Sequence, residues 1–242
     1  MNSQDFELRE YASTNNGREW AVSNAFPVLL RKVYLWMSLA LVITGLTAYG
    51  VATSPGALQM IYGNSTMMWV IIIAELALVF GLSAAINRLS LAVATLMFIV
   101  YSLLNGVVFS SIFLVYTATS ISTVFFITAG TFGVMSAVGF FIKKDLSAMG
   151  KFLLMALIGI IIATVVNVFL GSQGLDLIVT YLGVLIFVGL TAYDTQKIKN
   201  MFLMAPDASA HTQKYAVLAA LTLYLDFINL FLYLLRLFGN RK

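Results

Sequence analysis

Residues 221–238 read LTLYLDFINLFLYLLRLF, an apolar run broken only by Thr222, Asp226, Asn229 and Arg236. As a helix this run is about 27 Å long, close to the roughly 30 Å of a bilayer's hydrocarbon core. Thr222, Asp226, Asn229 and Tyr233 recur at i, i+4, i+7 and i+11, so a helix sets them on one stripe. Large apolar side chains cover the rest of its surface. A polar stripe on such a helix must turn toward protein or water. The run is therefore expected to cross a membrane inside other helices, its stripe bonding to neighbours or lining a pathway.

The rest of the chain supplies those helices. Of 242 residues, 61% are hydrophobic and only 10% charged, against about 25% charged in a soluble domain. Apolar runs at about 33–53, 67–86, 91–116, 121–142, 152–170, 177–196 and 215–237 predict an all-α polytopic membrane protein, a seven-transmembrane-helix bundle with the seventh helix central. A transmembrane barrel is rejected, because its strands alternate apolar and polar with period two. Pro27, Pro55 and Pro206 fall outside the runs, so uninterrupted helices are expected. Small residues inside them (Gly106 and Ser110; Gly130, Gly133, Ser136 and Gly139) would let helix backbones approach closely. Two units result: residues 1–30 as a polar cytoplasmic tail without the pattern of a targeting peptide, and residues 31–242 as the membrane domain.

Absences narrow the chemistry. There is no cysteine and one histidine, His211, in a polar stretch where a solvated role suffices, so thiolate and multi-histidine metal sites are excluded. The net charge of +4 comes from scattered bases, which argues against nucleic acid. Eleven of the fourteen Lys and Arg precede the first run or lie in the second-to-third, fourth-to-fifth and sixth-to-seventh connections. The alternate connections have none, which predicts a cytoplasmic N-terminus. Arg236, Arg241 and Lys242 disagree: either the last run crosses with three external charges, or it re-enters and both termini are cytoplasmic.

Charge inside the bilayer costs at least about 2.5–3.5 kcal/mol per side chain and marks candidate sites. Glu75, Arg88, Asp194 and Asp226 qualify. Asp194 is open to two readings: an interfacial acid paired with Lys197, or a partner of Asp226. Two carboxylates in low dielectric cannot both ionise cheaply, so such a pair would share a proton and titrate as a unit. Ionised, Asp194 and Asp226 form an oxygen site for a hard cation such as calcium. Arg88, reaching the same leaflet, would neutralise Asp194 and latch that end. Along the helices, however, Asp226 lies roughly 15–18 Å from an end near Tyr215, and Asp194 within about one turn of its own.

The blocks AYDTQKIK at 192–199 and LYLDFINLFLYLLRLFG at 223–239 resemble the C-terminal signature of the Bax inhibitor-1 family, in its bacterial branch. Glu75 within the second run and KKDLS at 143–147 extend the likeness over the whole chain. The resemblance implies a seven-helix fold with the last helix central and a pH-sensitive calcium leak. It also implies that Asp194 and Asp226 are the proton-sharing gate, with an arginine near the end of the second helix as latch. Members with a known latch carry several bases there; this chain has Arg88 alone.

On this reading the protein is not an enzyme. It is a calcium leak channel of a bacterial inner membrane, gated by Asp194 and Asp226 with Arg88, with Glu75, Thr222 and Asn229 along the ion pathway. Calcium is the passing ion and no resident cofactor is expected. The alternative is a regulator of membrane quality control or stress, an inhibitor of a membrane protease, acting through the tail. An intramembrane aspartyl protease is disfavoured, because Asp226 lacks flanking glycines and no Pro-Ala-Leu motif occurs. The absence of a phosphate-cradling loop gives no support to an ATP-driven pump.

Overall fold

The computed structural model describes the backbone over residues 3–242 and the side chains over residues 25–242. The expected tail therefore lies largely outside the described side chains. Eight helices follow one another: α1 (Ser3–Ala52), α2 (Pro55–Tyr62), α3 (Ser65–Ala85), α4 (Leu91–Val115), α5 (Ala118–Phe141), α6 (Ser147–Leu170), α7 (Gln173–Leu203) and α8 (Ala210–Phe238). Seven of them, all but the short α2, are long and apolar enough to cross a membrane, α1 through its portion Ala25–Ala52. Their starts are chemically marked. Ser54, Asn64, Ser90, Thr117 and Ser172 each accept a backbone N–H at the first turn of α2, α3, α4, α5 and α7, meeting donors that have no partner within the helix. Gly171, at φ 61°, ends α6 in the left-handed conformation that glycine adopts without a steric penalty.

Two expectations about helix ends need correction. Pro27 lies inside α1, and Pro55 opens α2. Helix α1 continues past its apolar run because its buried face does: Ala25, Leu29, Val33, Met37, Ala40, Thr44 and Ala48 are spaced by three and four. Proline forfeits one backbone bond without breaking that stripe. At the other end of the chain, α7 runs to Leu203 and α8 starts at Ala210, beyond the apolar runs on both sides of the connection. Ile198 and Phe202 are buried, one turn apart, so the polar extension of α7 is itself amphipathic and held by packing.

Helix α8 is the centre. It packs against α1, α4, α5 and α7, while α3 lies on α4 and α6 on α7. Two-thirds of its most apolar window is buried, 67% against 11% for α3 and α6. Phe227 meets Phe125 and Phe132 of α5, and Tyr224 meets Phe98 and Tyr101 of α4. Tyr233 sits over Gly183 of α7, where a Cβ would fall 2.5 Å from the ring.

The close approaches expected from small residues divide. A Cβ on Gly139 would lie 2.1 Å from the Ala192 carbonyl oxygen, and one on Gly106 would lie 2.7 Å from that of Thr44. Those two glycines are where α5 meets α7 and α4 meets α1. Gly130 and Gly133 have nothing within 4 Å of such a Cβ, so they serve no close packing.

The last helix crosses fully. Beyond it the chain pairs with the α4–α5 connection: Tyr116 and Arg241 form an antiparallel bridge, Thr117 N donates to Asn240 O and Lys242 N to Val115 O. The final residues thus sit at the end opposite the lysine-rich connections, which decides between the two placements of Arg236, Arg241 and Lys242. Lys242 Nζ donates to Phe113 O near the end of α4, and Arg236 pairs with Asp176 at 3.2 Å. A cation among the last carbonyls of a helix is favourably placed.

Candidate functional site: a buried carboxyl pair

Asp194 of α7 and Asp226 of α8 are 9% and 5% exposed, and their carboxyl groups lie within hydrogen-bonding reach of each other. Two ionised carboxylates offer only acceptors, so a bond between them requires a shared proton. Asp226 Oδ2 is buried without a partner. Asp194 forms no contact ion pair with Lys197, whose charge acts on it only from a distance. Lys197 is exposed, with its ammonium 5.9 Å from the Tyr193 ring centroid, and the one ion pair among the described residues is Arg236–Asp176. The depth offset does not shrink, because both helices outrun their apolar segments: Asp226 stands sixteen residues after Ala210, about 24 Å inside α8. Asp194 stands nine residues before Leu203, about 13 Å inside α7, rather than one turn from its end.

Around the pair, the neighbouring residues of α7 hold the adjacent elements. Gln196 accepts from Leu146 N and donates to Ile142 O and Lys144 O, binding the α5–α6 connection. Thr195 shares a hydrogen bond with Ser136 of α5 at 2.9 Å, and Ser136 in turn shares one with Tyr34 of α1 at 2.7 Å. Gln196, Thr195 and Tyr34 were not singled out in the sequence, and Ser136 only as a small residue for close packing. Hydroxyls inside apolar helices are weak signals there, since they can bond to their own backbone.

Arg88 does not join the pair. It is exposed in the α3–α4 connection, which is fastened to the start of α8: Lys214 Nζ donates to Asn87 O and Leu89 O, and Tyr215 Oη to Asn87 Oδ1. Lys214 lies twelve residues before Asp226, about 18 Å along the helix, too far for an arginine held beside it to span. Lys214 is itself only 3% exposed. A lysine at the edge of an apolar run gave no reason to expect burial.

The stripe on α8 has a more particular orientation than predicted. Leu218, Thr222, Leu225, Asn229 and Leu232 are its half-buried positions, on the face between Tyr224, which meets α4, and Tyr233, which meets α7. Thr222 and Asn229 donate to the carbonyls of Leu218 and Leu225 on their own helix. Both are half-buried and make no side-chain bond to another helix among the described residues. Glu75 lies on the inward face of α3 with Ile71 and Leu82. It neighbours Tyr101 and Tyr224, and its Oε1 is buried without a partner. Tyr224 Oη shares a hydrogen bond with Thr44 at 2.7 Å. Glu75 is thus a half-buried acid with one buried oxygen, separate from the pair. Among the described residues no three His, Cys, Asp or Glu converge as a metal cluster.

Two acids on the last two helices, a third on α3 and a central α8 are what the C-terminal blocks implied, and comparison with known proteins agrees. Residues 27–242 match the family model "Inhibitor of apoptosis-promoting Bax1". The Escherichia coli inner membrane protein YbhL is 51% identical over 88% of this chain and 92% of its own length. An uncharacterized protein of Borreliella burgdorferi is 45% identical over 95% and 97%, and uncharacterized protein RP147 of Rickettsia prowazekii is 42% identical over 87% and 89%. The chain is an integral membrane protein that belongs to the Bax inhibitor-1 family.

Proposed function

We propose that this protein is a pH-sensitive leak pathway for calcium or a similar cation, gated by the Asp194–Asp226 pair. The observation that carries the reading is the contact of two buried carboxyl groups from different helices, one with an oxygen lacking any other partner. While a proton is shared, the pair has little attraction for a cation and bridges α7 to α8. Once both groups ionise, their repulsion loosens that bridge and their four oxygens attract a hard cation. Calcium takes six to eight oxygen ligands, so water must supply the rest. Such an incomplete set suits a passing ion better than a resident one. Glu75 offers a further acidic station, with Thr222 and Asn229 on the half-buried face of α8. Arg88, exposed and distant, has no part in this gate. By analogy with YbhL, an inner membrane is the expected location.

The test is calcium entry into dye-loaded proteoliposomes over a pH series, with wild type, Asp194→Asn, Asp226→Asn and the double variant in parallel. The expected result is a pH-dependent flux whose pH dependence disappears in either single variant, with no further loss in the double. Wild type indistinguishable from empty liposomes at every pH would overturn the reading.

A further inference from the structure

At the lysine-rich end α1 and α5 are joined by the Tyr34–Ser136 hydrogen bond and the stack of Phe26 on Phe140. Toward the other end they part. Between them runs a groove of about 710 Å³ whose walls include Leu41 and Gly45 of α1 and Ile121 and Phe125 of α5, with Phe227 of α8 as floor. A smaller cavity of about 90 Å³ continues it inward, and one of about 350 Å³ extends it past Gly133 and Ser136. Its rims are bilayer-facing, with Leu46 and Phe126 about 70% exposed (69% and 72%), so the groove is continuous with the surface that meets lipid.

Three observations select the occupant. The first is that the space is kept open by small residues with no packing role: a Cβ on Gly45 or Gly133 meets nothing within 4 Å. The second is the lining. It is apolar apart from Ser38 and Ser122 and lies open to the surface that meets lipid, which suits a hydrocarbon chain already present in the bilayer. Water is disfavoured, because it requires two to four polar partners, and of the two hydroxyls in the groove wall, Ser38 and Ser122, Ser122 already bonds to its own helix at Ala118 O and Thr119 O.

The third is charge. Phe113 lines the far mouth and its carbonyl holds the Lys242 ammonium, which keeps further N–H donors for a ligand. At this end Asp176 is already paired with Arg236, and the Lys242 ammonium has no carboxylate within salt-bridge distance among the described residues. We propose that the α1–α5 groove binds an anionic phospholipid, one acyl chain lying in the groove and the phosphate at Lys242. The site is separate from the carboxyl pair and does not depend on the leak reading.

The test uses the full chain in nanodiscs of phosphatidylethanolamine and phosphatidylglycerol carrying a trace of phosphatidylglycerol with a diazirine on its acyl chain. Photolabelling is expected to be several-fold denser on peptides around Leu41 and Phe125 than on the exposed α6 face at Val165 and Phe169. Gly45→Leu, or Ser122→Phe from the opposite wall should the first fail to fold, removes that enrichment. Gly50→Leu, equally open but outside the groove, retains it. Lys242→Gln lowers labelling by the phosphatidylglycerol probe to the level of a phosphatidylcholine probe with the same chain. Equal labelling of the groove and α6 in wild type, or enrichment that survives filling of the groove, would overturn the site. Equal groove labelling by the two wild-type probes would overturn the anionic headgroup.

Discussion

Gly139 and Gly133 stand six residues apart in α5 and have opposite consequences. Alanine at Gly139 forces its methyl to 2.1 Å from the Ala192 carbonyl, so α5 and α7 must separate beside Asp194. Such overpacking costs about 1–3 kcal/mol, and Gly139→Ala is expected to lower the melting temperature in detergent and broaden the pH response of the flux. Alanine at Gly133 meets nothing and improves helix propensity by up to about 1 kcal/mol, so Gly133→Ala is expected to melt no lower than wild type. The letters alone could not separate these cases. Both glycines sit in the same apolar run, and only the crossing point of α5 and α7 tells them apart. Asp194 and Asp226 were legible for the converse reason: a carboxyl at bilayer depth is improbable enough in composition to be noticed wherever the helices cross.

Among the elements, the connections at the lysine-rich end are each pinned by side chains that the hydropathy pattern leaves unremarked. Asp145 and Asp207 open two of them alike: each accepts from a backbone N–H and a hydroxyl two residues on, at Ser147 and Ser209, ahead of α6 and α8. The Asp-x-Ser pattern of such turns stands in the sequence but was not read there. The serine hydroxyl bonds, with Thr212 as a further donor to Asp207, hold both carboxyls below their usual range. A depressed value contributes stability above the unfolded carboxylate range, and that stability is lost as the pH falls through the folded value. Hydrogen exchange of residues 205–213 should therefore accelerate as the pH is lowered from about 4, relative to the intrinsic rate, while Asp207→Asn shows no such step. The Lys214 clasp was illegible, because its partners are backbone carbonyls more than a hundred residues away. Lys214→Met keeps the stem but removes bonds from a charged donor, worth about 1.5–3 kcal/mol. Residues 86–90 are expected to exchange tenfold faster or more, with helices α5 to α7 unchanged; unchanged exchange at 86–90 would mean Tyr215 alone suffices.

For the whole molecule, an odd number of crossings sets the two ends of the bundle against each other. Seven spans and their central member were readable from run length and the stripe on the last run. The side on which the chain finishes was not, because charge counting pulled Arg236, Arg241 and Lys242 toward the cytoplasm. The fold answers with contacts: Arg236 is engaged by Asp176 and Lys242 by the end of α4, while the backbone of Arg241 bridges Tyr116, so local bonds offset part of the topological preference that free cations would express. The expected orientation, with the N-terminus cytoplasmic, rests on the larger group of bases, with Lys143, Lys144, Lys151, Lys197 and Lys199 near the opposite end. Since the chain has no cysteine, a single introduced thiol reports its side without background. In intact bacterial cells a membrane-impermeant maleimide is expected to label Ser172→Cys and Asn240→Cys, and to label Lys143→Cys and Asn200→Cys only after permeabilisation. The reverse pattern would invert the protein and place the carboxyl pair nearer the external mouth. Labelling of all four from one side would contradict a seventh crossing, and with it the α8 core on which the candidate site is built.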